Sequence, residues 1–248
     1  MSSFNGKSVL VLGGSRGIGA AIVRRFATDG AKVVFTYLSS PDDAQALAAE
    51  TGSRAMRADS GDRDFLIALI ASLGPLDVLV VNSGILGAGD PLDMPPDDID
   101  RLFRINTLAP YHAAVAAART MPDGGRIILI GSANADRMPM AGLAAYSASK
   151  AALKGMVKGL ARDFGARGIT VNVVQPGPTD TDMNPADGPL KDVMPVFMAI
   201  KRHATGAEIA VLVAYLTGSE GCTITRAALT HYGCLPGCEN DSPPFSSR

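Results

Sequence analysis

The chain is poor in the residues on which metal sites, disulfide frameworks and nucleic-acid binding depend. Its 248 residues include no tryptophan, three histidines and three cysteines, and the formal net charge is −1. The histidines show no metal-ligand spacing, so we predict no metal site. Cys222, Cys234 and Cys238 are odd in number and clustered, which favours reduced thiols over disulfides. The near-neutral charge gives no electrostatic basis for binding nucleic acid or an anionic membrane.

Long hydrophobic runs are also missing. No apolar segment approaches the length of a membrane span, and Ser8–Leu12 is too short for the core of a signal peptide. Hydrophobic residues make up 47% of the chain and charged residues 19%, which is typical of a soluble globular protein. We therefore expect a cytoplasmic protein.

Short apolar runs alternate with helical stretches along the whole chain. The runs predict strands at 8–12, 32–37, 54–58, 76–81, 126–131 and 169–174, with a short last strand near 222–230. This alternation predicts an α/β fold with a doubly wound, mainly parallel sheet of seven strands and helices on both faces. We expect one domain over residues 1–233, followed by a flexible tail at 234–248 that is rich in proline, serine and acids.

A glycine-rich turn comes directly after the first predicted strand. The apolar run Lys7–Leu12 leads into Gly13–Gly19, which contains four glycines, and then into Ala20–Ala27, whose apolar residues recur at helical spacing. Glycine lets a backbone approach a pyrophosphate closely, and the N-terminus of the next helix favours its negative charge. The strand before the turn and the helix after it make this motif more specific than glycines alone.

A tyrosine and a lysine stand four residues apart at the start of a predicted helix, after a serine that ends a predicted strand. Tyr146 and Lys150 share one face of that helix. An ammonium about 4 Å from the phenol contributes on the order of 4 kcal/mol, or roughly three pKa units, at an effective dielectric constant near 20. We therefore expect Lys150 to lower the Tyr146 pKa toward neutrality and Ser132 to hold a substrate carbonyl. The alternative is a core tyrosine and a solvated lysine, which this short pattern alone does not exclude.

Five motifs, taken in order, resemble those of the short-chain dehydrogenase/reductase family over about residues 6–230. They are the glycine turn at 12–19, Val81–Gly84 at a strand end, Asn106 in a helix, the Ser132, Tyr146 and Lys150 set, and Gln175–Thr181. Leu12 replaces the family's usual threonine, and the strand end departs from Asn-Asn-Ala-Gly at two positions. The resemblance implies a Rossmann fold and a nicotinamide cofactor.

The resemblance also implies which residues act. The catalytic set is Asn106, Ser132, Tyr146 and Lys150. The cofactor-binding set is Gly13, Ser15, Arg16, Gly17, Ile18, Gly19, Tyr37, Ser39, Ser40, Asp59, Ser60, Asn82, Ser83, Gly84, Tyr146, Lys150, Pro176, Gly177, Thr179 and Thr181. The substrate-binding set is Ser132, Arg137, Met138 and Met183.

The choice of cofactor rests on the residues at and just beyond the end of the second predicted strand. NAD-specific sites place an acid about 20 residues beyond the glycines, but Tyr37 ends this strand and no acid stands there. The hydroxyls of Ser39 and Ser40 and the guanidinium of Arg16 suit a phosphate instead. We therefore predict NADP as the cofactor.

The substrate residues allow more than one interpretation. The stretches after Gly84, Ser132 and Thr181 are mostly apolar, and their methionines suit a lid or ordinary core packing as well as a pocket. Arg137 suits either a surface charge or a contact with an acidic substrate.

Three functions remain open. The catalytic set favours an NADPH-dependent reductase that converts a ketone or aldehyde to an alcohol. Residues 13–26, 136–139 and 159–164 are similar to family members described as binding cyclic di-GMP and mediating biofilm dispersal, although the patterns R-x-x-x-R and R-x-x-D are absent. A 3-oxoacyl-carrier-protein reductase is the third alternative. The small residues along 142–165 resemble the family's helix-to-helix seam, which implies a homodimer or homotetramer.

Overall fold

The computed structural model describes residues 4–138 and 140–231, which contain a seven-stranded, fully parallel sheet. The strands are β1 (Ser8–Leu12), β2 (Lys32–Tyr37), β3 (Arg54–Arg57), β4 (Val78–Val81), β5 (Arg126–Ile130), β6 (Thr170–Pro176) and β7 (Ala228–His231). Their order across the sheet is β3-β2-β1-β4-β5-β6-β7. The predicted fold class is confirmed.

Helices connect the strands and cover both faces of the sheet. They are α1 (Gly17–Thr28), α2 (Pro41–Thr51), α3 (Arg63–Ser72), α4 (Pro96–Phe103), α5 (Ala109–Thr120), α6 (Ala144–Phe164) and α7 (Gly206–Thr217). A π-helical turn at Arg104–Leu108 joins α4 to α5, and short 3₁₀ turns lie at Ala133–Ala135, Gly165–Arg167 and Met194–Phe197. None of the helices in the described part of the chain is both long and apolar enough to cross a membrane.

Alternate residues of each central strand face opposite sides of the sheet, and both sides are buried. Leu10 and Leu12 of β1 pack in the core beneath α3, α5 and α6, whereas Val9 and Val11 pack beneath α1, α2 and α7. A sheet covered on both faces requires apolar residues at almost every strand position. This requirement explains why the strands were predictable from continuous apolar runs.

The last strand begins later than predicted. Residues 220–223 form turns, and β7 occupies only Ala228–His231 rather than the whole segment near 222–230. A Cβ on Gly221 would lie 2.6 Å from the Tyr215 carbonyl oxygen, so the chain turns back tightly against the end of α7. The predicted flexible tail at 234–248 lies outside the described residues.

The long helix α6 presents two different faces. Leu153, Val157 and Leu160 are buried in the core, as ordinary packing on the sheet requires. At Gly155 and Gly159 an added Cβ would have no neighbour within 4 Å, so the small-residue face is open. The homodimer or homotetramer stays a prediction.

Candidate active site at the carboxyl edge of the sheet

The glycine turn after β1 is packed too tightly to accept side chains. The Gly13 N–H donates to Thr36 Oγ1 at 3.0 Å, and Asn82 Nδ2 donates to the Gly13 carbonyl oxygen at 2.6 Å. A Cβ on Gly19 would lie 2.1 Å from that same carbonyl oxygen, so only glycine lets α1 approach the turn this closely. The turn therefore brings β1, β2 and β4 together at the edge where the strand order reverses.

The N-terminus of α1 fits a phosphate group. Its N-cap is Arg16, which makes no side-chain capping hydrogen bond, and no acid stands in the first turn. Such a helix end offers backbone N–H donors and the positive end of the helix dipole. A second polar group nearby, Ser83 Oγ, is buried without a hydrogen-bond partner. These features match a dinucleotide cradle.

The segment after β6 returns to the glycine turn. Thr179 Oγ1 donates to the Gly177 carbonyl oxygen at 3.0 Å, and the Thr181 methyl group would lie 3.1 Å from a Cβ on Gly17. An exposed ion pair joins Arg16 to Asp182, with the Arg16 Nη1 atom 3.4 Å from the carboxylate. The structure thus brings together the predicted cofactor residues of the glycine turn and of residues 176–181.

The remaining predicted cofactor residues lie around the ends of β2 and β3. Tyr37 is half-buried at the end of β2, and Ser40 is the N-cap of α2 without a side-chain hydrogen bond to the helix. Asp59 is exposed, and its carboxylate accepts from the Gly61 N–H at 2.8 Å. Arg57, which sequence reasoning missed, pairs in register with Tyr37 and adds a positive charge here. The position of Arg57 beside Tyr37 depends on the register between β2 and β3, which the sequence does not reveal.

Asn106 lies in the π-helical turn and is fully buried. Its Oδ1 accepts from the Ile85 N–H at 2.9 Å, while Nδ2 donates to the Ile85 carbonyl oxygen at 2.9 Å and to Ser149 Oγ at 3.1 Å. Ser149 Oγ in turn donates to the Tyr146 carbonyl oxygen at 2.7 Å. Ser149 is a link that sequence reasoning missed, because it connects the π turn to α6 across 43 residues.

The other three catalytic candidates lie just after β5 and in the first two turns of α6. Ser132 lies just after β5, and its hydroxyl forms a hydrogen bond with the Tyr146 side chain. Lys150 Nζ donates to the Ile130 carbonyl oxygen at 3.0 Å. A Cβ on Gly84 would lie 3.1 Å from Lys150 Nζ and 3.3 Å from Asn106 Oδ1, so the glycine backbone closes against both. All four predicted residues are therefore brought together at the carboxyl edge.

The pKa values of Tyr146 and Lys150 are shifted by burial, and the Tyr146 shift differs from the prediction. Burial raises the pKa of Tyr146 above its usual range, and the hydrogen bond to Ser132 offsets this only in part. Burial also lowers the pKa of Lys150 from 10.5 to about 8. The expectation that the Tyr146 pKa falls toward neutrality is wrong in this structure, because burial of the phenol is the largest cause of its shift and favours the uncharged form.

The predicted substrate residues are less closely grouped. Arg137 and Met138 are half-buried in the loop after Ser132, and Met183 is 59% exposed. Met194 and Met198 are buried and pack with Met140, so these three methionines stabilise the contact between that loop and residues 194–198. This is the packing role that the sequence left open for them.

The described residues offer no metal site. No group of three histidine, cysteine or acidic side chains that could hold a metal occurs within residues 4–138 and 140–231. A groove of about 460 Å³ lies beside Asp59 and is lined by charged residues that include Asp62, Asp97, Arg101 and Arg104. None of the four catalytic candidates lines this groove.

Comparison with known proteins identifies relatives along most of the chain. A family model described as Enoyl-(Acyl carrier protein) reductase matches residues 13–233. The cyclic-di-GMP-binding biofilm dispersal mediator protein of Escherichia coli (strain K12) is 62% identical over 235 residues, which are 95% of this chain and 99% of that protein. Versicolorin reductase stcU of Emericella nidulans is 40% identical over 188 residues, which are 72% of this chain and 71% of that protein.

Solved structures extend the comparison to three dimensions. A crystal structure described as BdcA in complex with NADPH has 60% sequence identity and a TM-score of 0.92, and the match covers 94% of this chain and 97% of that one. Both resemblances predicted from the sequence are confirmed.

The buried lysine generates a prediction about stability. The fall in its pKa from 10.5 to about 8 corresponds to roughly 3 kcal/mol of unfavourable burial at neutral pH. Between these two values the unfolded state binds more protons, so the native state becomes more stable as pH rises. Lys150→Met should remove this dependence and be at least as stable as the wild type at pH 7, as measured by urea unfolding from pH 7 to 10. A Lys150→Met variant that is much less stable at every pH would contradict this account.

Proposed function

The chain belongs to the short-chain dehydrogenase/reductase family, and on that premise we propose that it uses NADPH to reduce a ketone or aldehyde to an alcohol. The observation that carries the proposal is the packing of Lys150 and Asn106 against the Gly84 backbone together with the hydrogen bond between Ser132 and Tyr146. A protein that only bound a nucleotide would not need this set.

The cradle for the cofactor is formed by the glycine turn, the α1 N-terminus and residues 176–181. Arg16, Ser39 and Ser40 are the proposed contacts to the 2′-phosphate, and Tyr146, Lys150 and the strand end at 82–84 are the proposed contacts near the nicotinamide. NADPH supplies a hydride when bound. The NADPH in the BdcA structure supports the choice of cofactor.

The protonation of the site suits reduction. Because the pKa of Tyr146 is raised, its phenol is protonated at neutral pH and can donate the proton that a new alkoxide needs. The Ser132 hydroxyl, which hydrogen-bonds to Tyr146 in the free protein, would turn its single proton to the same carbonyl oxygen when a substrate binds. The Lys150 ammonium donates to the Ile130 carbonyl oxygen of β5, and the Asn106 amide holds the backbone of Ile85.

Loss of the phenol tests the chemistry. Tyr146→Phe should lower kcat by about 10²–10⁴-fold, the usual contribution of a general acid, while NADPH affinity stays within a few fold. Lys150→Ala should lose both, because its ammonium is also a proposed cofactor contact. Turnover would be measured by NADPH absorbance on diketones, activated ketones and a 3-oxoacyl thioester, and NADPH binding by fluorescence. Normal turnover by Tyr146→Phe would sink the mechanism.

Cofactor preference tests the role of Arg16. Arg16→Ala should remove a charged hydrogen bond worth about 1.5–3 kcal/mol, which is roughly 10–150-fold in NADPH affinity, with little change for NADH. Tyr37→Asp should move preference further toward NADH. Arg162→Ala, at an exposed position on α6, is the control with the same loss of charge. An unchanged NADPH-to-NADH ratio in Arg16→Ala would make Arg16 only a turn residue.

Cyclic di-GMP binding is the second candidate. The name of the 62% identical Escherichia coli relative supports it. The groove beside Asp59 does not add to this support, because Arg101 and Arg104 share it with Asp59, Asp62, Asp97 and Asp100, whose negative charges oppose two phosphates. A cyclic dinucleotide would instead use the substrate side near Arg137 and Arg202 or displace the cofactor.

Calorimetric titration of cyclic di-GMP into apo and NADP-loaded protein separates the two candidates. We expect carbonyl turnover together with weak dinucleotide binding that NADP or substrate reduces. Submicromolar binding without turnover on any carbonyl would overturn the reductase proposal, and turnover without detectable binding would eliminate the second candidate. The same samples, studied by light scattering, test the proposed homodimer or homotetramer.

A further inference from the structure

We propose that Asp136 is a positioning residue that fixes the loop carrying Ser132 against the helix carrying Tyr146. This inference rests on the proposed carbonyl reduction, because it concerns the separation of the two hydroxyls that meet the carbonyl oxygen. Asp136 touches neither hydroxyl, and it acts through the loop.

The loop itself is short and locally regular. Ser132 is the N-cap of the 3₁₀ turn at Ala133–Ala135, and its Oγ accepts from the Asn134 N–H at 3.2 Å. Asp136 is the next residue, and its N–H donates to the Ala133 carbonyl oxygen at 3.0 Å. The position of the Asp136 side chain therefore affects the position of Ser132, because one hydrogen-bonded 3₁₀ turn connects the two residues.

The carboxylate of Asp136 binds two separate elements of the fold. One oxygen accepts from Lys154 Nζ on α6, one helical turn beyond Lys150. The other accepts from Gln175 Nε2 on β6, which is fully buried and directly precedes the Pro176–Gly177 segment. Gln175 Nε2 also lies 3.3 Å from Thr230 Oγ1 of β7. The Asp136 side chain thus joins the Ser132 loop to α6 and β6 directly, and to β7 through Gln175.

Only a carboxylate satisfies both partners. Lys154 and the Gln175 amide are both donors, and an ionised acid offers an acceptor oxygen to each. Partial burial tends to raise the pKa of Asp136, but the bonds from Lys154 and Gln175 outweigh it and hold the pKa below its usual range. The side chain is therefore ionised throughout the neutral range. An asparagine would turn an N–H₂ group toward one of the two donors.

A second hydrogen bond links the Ser132 loop to α6. Ser147 Oγ on α6 donates to the Asn134 carbonyl oxygen at 2.5 Å. Loss of the Asp136 contacts would leave the loop attached to α6 but free to pivot about Asn134. The expected consequence is a misplaced Ser132 hydroxyl with an intact NADPH cradle, which lowers kcat rather than cofactor affinity.

The test compares Asp136→Asn with Asp136→Glu, Lys154→Met and the control Asp163→Asn, an exposed acid on α6. We expect Asp136→Asn to lower kcat at least tenfold while KM for NADPH stays within twofold, and Asp136→Glu to recover most of the loss. The effect of Asp136→Asn should shrink in a Lys154→Met background, because the two residues share one interaction. Hydrogen exchange of the peptide spanning 132–138 should be faster in Asp136→Asn and unchanged in Asp163→Asn.

The outcomes are separable. Unchanged kcat in Asp136→Asn overturns the proposal, as does a parallel loss of NADPH affinity that Asp136→Glu does not rescue. If Asp136→Asn does not fold, Lys154→Met must itself lower kcat at least tenfold and speed exchange of residues 132–138. If Lys154→Met shows neither change, the proposal is overturned. If the wild type reduces no carbonyl, the proposed function fails, and the exchange of residues 132–138 alone decides whether Asp136 anchors the loop.

Discussion

Burial of a parallel sheet on both faces is the constraint on which the rest of the structure depends. The side chains of β1, β4 and β5 are almost all apolar, since each strand residue faces a layer of helices, whereas β6 also buries Asn172 and Gln175. Polar side chains are therefore concentrated where the strands end. At the carboxyl edge, Asn82 comes after β4, Ser132 after β5, and Thr179 after β6. The reversal of strand order between β1 and β4 opens the crevice there.

Among residues 4–138 and 140–231, Lys150 is the lysine that is buried at this edge of the sheet. Its ammonium is held by a backbone carbonyl of β5 and lies against the Gly84 backbone, without a carboxylate partner among its hydrogen bonds. Desolvation of such a group is unfavourable, and the surrounding sheet must stabilise it. Sites that trade stability for chemistry in this way are common in enzymes. The apolar layers on both sides of the sheet provide the compensating stability.

The fold and most of the site could be predicted from the sequence because both rest on local patterns. Apolar runs determined the strands, and the glycine turn and the Tyr146 to Lys150 spacing determined the motifs. Hydrogen bonds between distant segments could not be predicted in this way: Ser149 meets Asn106, and Gln175 meets Asp136, across about 40 residues in each case. The direction of the Tyr146 pKa was wrong because the sequence gives the charges near a group but not its burial.

The π-helical turn between α4 and α5 has a consequence for the register of the chain. Here the Ala109 N–H bonds to the Arg104 carbonyl oxygen, five residues back instead of four. Each residue of a regular helix turns the chain by about 100°, so this one surplus residue changes the direction in which the side chains of α4 point relative to those of α5. Removal of a single residue from 104–108 would restore a uniform helix. It would also rotate α4 relative to α5 and disturb the hydrogen bonds of Asn106 with Ile85 and Ser149. The length of this short stretch is therefore as constrained as its composition.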